Sequence, residues 1–256
     1  MILTRSLIIL SYLSPAVGSP AVGSPGVGRK DVIIESFGSP PSHEWISIND
    51  PVMGGQSSGT FTIDSSTDSN IGVFQGTVKD VPSLGAPGFI AARTPRTGSW
   101  FPDLSSCDGL KLRVKTPKPY DGYRLSFGTN SPAGAMRYAR GYKAHFDVPE
   151  PLSEFHDIEL GFSKFSDNWD PRTGDIIISC SEDEQFCPDD ATRKNLQQIE
   201  IMAEGVNGDI KLEIDSISAT NCDDDVVESD PNPEETAKTN GSSSGRGRGQ
   251  FGGRNY

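Results

Sequence analysis

About eleven short, apolar-rich runs, each closed by Gly, Pro, Asn or Asp, leave this chain one ready way to fold: β-strands joined by turns. The runs fall at 32–37, 59–64, 72–79, 88–93, 109–115, 122–129, 142–148, 156–162, 175–180, 198–204 and 209–217. In the fifth, Leu110, Leu112 and Val114 alternate with Lys111, Arg113 and Lys115, a period of two that buries one face and wets the other. One short helix is expected, at 188–196. Strands at this spacing over ~190 residues predict an all-β fold, a jelly-roll β-sandwich. The 28 glycines and 19 prolines suit such a turn-rich chain.

The ends read differently. Residues 1–18 carry Arg5, an apolar run at 7–13 and a small-x-small site at Ala16-Val17-Gly18, the form of a secretory signal peptide. Frequent serine and the lack of acids before Asp31 keep a mitochondrial targeting segment as the alternative. Residues 19–30 continue a Ser-Pro-Ala/Gly-Val-Gly repeat and form a linker, because Pro and Gly at this density cannot pack a core. The domain is expected at 31–222. Residues 223–256, acidic and then Arg-Gly-rich, hold too few apolar residues to order.

The formal net charge is −12. Seven of the 35 acids and four of the 23 bases lie beyond Cys222, so 28 acids face 19 bases in the rest. That balance excludes a nucleic-acid surface on the domain. The tail's RGRGQFGGR at 246–254 has the form of a loose RNA-binding segment, but an acidic stretch adjoins it. No apolar run after the N-terminus is long enough to span a membrane. Four cysteines behind a signal peptide predict two disulfides, with Cys180–Cys187 the preferred local pair and Cys107–Cys222 the remaining one. Free thiols are the alternative if the chain is mitochondrial. No Cys-x-x-Cys pair or nearby histidine supports zinc.

The stretch from Trp45 to Asp64, WISINDPVMGGQSSGTFTID, places a Gly-rich loop between two strand-like runs. Asp50-Pro51 starts a turn and Gly54-Gly55 permit positive φ or close backbone approach. Val52 and Met53 need cover; they are expected to tuck under the sandwich. Gly55-Gln-Ser57-Ser-Gly59 matches the G-x-S-x-G nucleophile pattern, but that chemistry needs a helix leaving the serine, and here a strand follows. His43, His145 and His156 have no spacing that marks a base, so no catalytic residue and no cofactor are expected. The acids at 64–70 lack the calcium-loop pattern, and those at 182–190 read as a solvated loop. Trp45, Trp100 and Trp169 are expected in packing before sugar stacking. Asn240-Gly-Ser is a glycosylation sequence usable only on the secretory route.

Several of these stretches, taken in order, resemble the complex I intermediate-associated protein 30 family. They are Trp45 with Asn49 to Gly55 and Ser57; Gly72 to Gly76; Gly88-Phe89-Ile90 with Arg93; Asp103-Leu104-Ser105; Asp108 to Val114; and Gly208 to Ile217. The resemblance implies a galactose-binding-domain-like jelly roll over residues 32–219. It also implies a non-enzymatic role as assembly factor or chaperone for membrane complexes, best known for mitochondrial complex I. Protein partners, including membrane-complex subunits, are then expected, with Asp50, Met53, Gly54, Gly55, Ser57, Arg93 and Arg113 near the recognition surface. An Asp50–Arg93 ion pair fixing the loop is the structural alternative. The functional alternative is a secreted carbohydrate-binding module.

Overall fold

The computed structural model describes residues 29–50, 54–66, 69–96, 100–128, 141–148 and 150–223. The expected signal segment, the tail with Asn240, and Val52 and Met53 all lie outside the described residues. The strands run in the order β1 (Arg29–Glu35), β2 (Ile46–Asn49), β3 (Ser58–Asp64), β4 (Ile71–Val78), β5 (Asp80–Val81), β6 (Ala86–Pro87) and β7 (Phe89–Arg93). Then come β8 (Gly109–Thr116), β9 (Tyr120–Phe127), β10 (Tyr142–Val148), β11 (Leu152–Gly161), a short helix α1 (Asp190–Lys194), β12 (Ile199–Glu204) and β13 (Gly208–Asp223).

Two antiparallel sheets form the sandwich. One has the order β11-β8-β13-β4-β3, with β1 also on β13; the other runs β10-β9-β12-β7-β2. The first half of β13 pairs with β4 and the second half with β1, so one long strand carries both neighbours along a single edge. Alternation decides what lies between the sheets. Leu110, Leu112 and Val114 of β8 are fully buried and meet Tyr123, Leu125 and Phe127 of β9 and Ile199 and Ile201 of β12 in one core. The outward Lys111, Arg113 and Lys115 pair with Asp31, Asp157 and Glu213. The expected helix appears as α1, capped by Asp189 through Thr192 N–H.

The isoleucine-rich run at 175–180 is not a strand. Only Ile176 makes a bridge, to Trp169. The carbonyl of Asn168 takes the N–H of Ile177, Ser166 Oγ donates to the Ile178 carbonyl, and Ile177 stands exposed. The segment folds back on its own turn across the five-stranded sheet, so its alternation has no sheet edge to join.

Between β1 and β2 the chain winds around Glu35, whose side chain is wholly buried. Its carboxylate accepts N–H groups from Ser36, Phe37, Ser42 and His43, and faces His43 Nδ1 and the Trp45 indole N–H. Burial alone raises its pKa, but His43, the Phe37 N–H and Trp45 outweigh that and hold it below the ordinary value of 4.5. This cradle sets the direction in which β2 enters its sheet, and hence where Asp50 lies.

Both expected disulfides are present, Cys107–Cys222 and Cys180–Cys187. The first ties the start of β8 to the end of β13. Beside it Arg29 pairs with Asp108 and Asp223, closing the two ends of the domain on each other.

Two outcomes are expected. Replacing Cys107 and Cys222 together by alanine should cost about 4–5 kcal/mol, because their sequence separation is 115, and replacing Cys180 and Cys187 about 2–3; denaturant unfolding measures both. Glu35 has a depressed folded pKa, so its contribution is full above about pH 4.5 and is lost as pH falls through the lower folded value. Glu35→Gln should therefore be less stable than the parent by about 2–4 kcal/mol at pH 7, with the gap narrowing as pH falls below 4.5 and through the lower folded value.

Candidate functional site

The Gly-rich loop leaves β2 at Asp50, crosses from the five-stranded to the six-stranded sheet, and enters β3 after Ser57. Its first turn closes with Gly55 N–H on the Asp50 carbonyl at 3.1 Å. Gly54 sits at φ +82, a left-handed conformation that side-chain-bearing residues rarely take.

Asp50 is only 1% exposed. Oδ1 accepts the Ser57 N–H at 2.9 Å; Oδ2 accepts the Ser57 hydroxyl at 2.5 Å and the Phe89 N–H at 3.2 Å. The Ser57 oxygen in turn accepts the Lys79 N–H at 3.0 Å. One carboxylate thus joins the end of β2 and the start of β7 in one sheet to the start of β3 and the end of β4 in the other. The glycines beside it leave room for that: a Cβ at Gly55 or at Gly88 would overlap the Asp50 carboxylate.

Ser57, the serine of the G-x-S-x-G pattern, is fully buried and its hydroxyl is committed on both sides. Its environment holds a carboxylate and backbone, with no histidine among its partners. Of the histidines, His43 is bound to Glu35 and the Trp100 carbonyl, and His145 to the Gly174 carbonyl.

The predicted site residues do not all converge. Asp50, Gly54, Gly55 and Ser57 form one unit. Arg93 lies at the far end of β7 from Phe89, opposite Ile46 and Glu200, so the Asp50–Arg93 ion pair is not formed. Arg113 belongs to the other sheet's outer face, 3.1 Å from Asp157 and 3.6 Å from Asp215. Among the tryptophans, Trp45 packs against Phe37 and Phe61 and Trp169 is buried, but Trp100 is 58% exposed, against the packing expectation. The acids near 182–190 cap turns: Asp183 receives Gln185 N–H, Asp189 receives Thr192 N–H and Glu182 binds Ser179. Among the described residues no group of acids, histidines and cysteines fits a metal ion.

A second polar cluster escaped the sequence reading. Lys143, Arg124 and Glu204 alternate with core residues and so face outward from the five-stranded sheet, yet each is buried. The strap at 165–180 roofs them. Ser166 exchanges backbone hydrogen bonds with Lys143, and Trp169 donates its indole N–H to the Gly141 carbonyl. The Lys143 ammonium is paired with Glu204 and lies 3.7 Å from the Trp169 ring centroid. Arg124 reaches Asp175 on the strap at 3.5 Å. Nearby, burial pushes the Glu200 carboxyl up, against the pull of Arg93 and Lys143. In sequence these charges sit at ordinary outward positions, and no local pattern announces the roof.

A family model described as complex I intermediate-associated protein 30 matches residues 36–214. Among solved structures, the chain is similar to a family 11 carbohydrate-binding module from Clostridium thermocellum in complex with a β-1,3-1,4-mixed-linked tetrasaccharide. That match has 16% identity and a TM-score of 0.50, covering 76% of this chain and 98% of the module. A family 11 module of a cellulosomal cellulase from the same organism matches at 17% identity and a TM-score of 0.48, covering 77% and 97%. The first likeness bears on the fold alone, an all-β sandwich of the galactose-binding-like kind. Among curated proteins nothing matches the chain.

The overlap of Gly88 with Asp50 yields a double-mutant test. Asp50→Ala strands the buried Ser57 N–H and the part-buried Phe89 N–H and should cost about 3 kcal/mol. Gly88→Ala forces a Cβ onto the carboxylate and should cost about 1–3 kcal/mol. Combined, the two should cost clearly less than their sum, because removing the carboxylate makes room for the new methyl group. Chemical unfolding of the four proteins measures the cycle.

Proposed function

The chain belongs to the complex I intermediate-associated protein 30 family, and on that premise we propose that it is a non-enzymatic binding module that helps assemble a membrane complex. The observation that carries this reading is the extent of the family match, residues 36–214, nearly the whole sandwich. A rigid two-sheet scaffold with loops gathered at its ends suits a protein that holds subunits without transforming them. Burial of Ser57 supports the non-enzymatic side. The two disulfides favour an oxidising compartment, and the secretory route is the one we assign; a mitochondrial location is the family's alternative.

A carbohydrate-binding role is the second reading, favoured by the solved module that holds a tetrasaccharide. Two features weigh against it here. The strap covers part of the outer face of the five-stranded sheet, and Trp169 is buried over Lys143, where it offers no face to a sugar. Among the described residues, Trp100 remains as an exposed aromatic.

Affinity purification of the tagged full-length chain from detergent-solubilised host membranes should recover integral subunits of one complex in defined proportion. Failure to recover them, together with glycan-array binding that Trp100→Ala abolishes, would replace this reading with the carbohydrate one.

A further inference from the structure

Between β1 and β2, the buried His43 side chain closes the Glu35 cradle, and both of its ring nitrogens face acceptors. Nε2 is 2.9 Å from the Trp100 carbonyl, which can only accept, so a proton belongs there. Nδ1 is 3.2 Å from Glu35 Oε2. That carboxylate already takes N–H groups from Ser36, Phe37, Ser42, His43 and the Trp45 indole, which fits the ionised form and leaves no acceptor for a carboxyl proton. Nδ1 therefore carries a proton too, and the geometry is that of the doubly protonated ring. Phe101 stacks on it with centroids 4.6 Å apart, a face on which a cation is favoured. Among the described residues, Glu35 is the charged group that touches the ring. Glu44, next in sequence, is exposed, and Asp103, beyond Phe101, binds Ser105 and faces Lys194 and Arg193.

We infer that protonation of His43 latches the Trp100 segment to the cradle, so that pH sets how firmly Trp100 is presented. Histidine is the side chain whose charge ordinarily changes between about pH 5 and 8. When the ring gives up one proton, a single N–H must choose between the Glu35 carboxylate and the Trp100 carbonyl. A bond to an ionised acceptor is about twice as strong as one to a neutral acceptor, so Nδ1–H stays on Glu35 and the carbonyl is released. Among the described residues no other hydrogen bond holds Trp100, and its side chain is exposed. The latch is thus closed below the ring's titration and open above it. A rigid, exposed tryptophan is the kind of residue on which partner binding concentrates. The device regulates binding at Trp100 and does not depend on which ligand meets it there.

NMR of the nitrogen-labelled full-length chain tests the latch. At about pH 5 both His43 ring nitrogens should carry a proton, and at about pH 8 only one. Across that step the Trp100 backbone order parameter should fall from about 0.85 to below about 0.6. The midpoint should be that of the His43 ring and not that of His145 or His156. His43→Gln, which offers a donor but does not titrate, should remove the step. A bare His43 nitrogen at about pH 5, an unchanged Trp100 order parameter through the His43 step, or a step that survives in His43→Gln each overturns the inference. The measurements on the parent chain decide it even where His43→Gln fails to fold. A purely structural pair would leave Trp100 as rigid above the step as below it.

Discussion

A buried carboxylate that satisfies three donors from two separate parts of the chain is the constraint on which this end of the sandwich depends. Asp50 holds Ser57 seven residues on and Phe89 thirty-nine residues on, and through Ser57 it reaches Lys79. Those groups belong to strands of both sheets. Without the carboxylate, the buried Ser57 N–H and the part-buried Phe89 N–H lose their acceptor, each at a cost of about 1–3 kcal/mol when water does not replace it. The glycines at 55 and 88 follow as a consequence, since any side chain there competes with the carboxylate for the same space. The loop is structural before it is anything else.

The outer face of the five-stranded sheet works on the same principle with charges in place of hydrogen-bonded neutral groups. Lys143 is buried at a cost that its partner Glu204 and the face of Trp169 together offset. The strap that supplies Trp169 ends in the Cys180–Cys187 link and α1. A binding module built on this fold therefore leaves less of that sheet open than its strand pattern implies.

Much of the fold was legible in the sequence because strand periodicity is local. Leu110, Leu112 and Val114 announce their burial within a single run, and the turn residues mark the ends of nearly every strand. The family resemblance and both cysteine pairings were legible as well. What was not legible is what long-range contacts decide. The run at 175–180 has strand-like composition, but no free edge lies where the chain delivers it. An Asp50–Arg93 ion pair was open on the sequence, yet β7 separates the two residues by its length. Lys143 and Glu204 look like solvated charges until the strap is placed over them. Trp100 has the composition of a core residue and faces solvent. In the loop itself, the paired glycines signalled a close approach, but its object was the loop's own aspartate and its far partner at Phe89.

Native-state hydrogen exchange reads the central claim most directly. If Asp50 ties the two sheets together, the Ser57 and Phe89 amides should exchange only through global unfolding, with protection equal to that of the Leu112 and Leu125 amides in the central strands. If instead those two amides exchange at rates typical of surface loops while the central strands stay protected, the loop is a detachable surface feature and the account of this end of the domain is wrong.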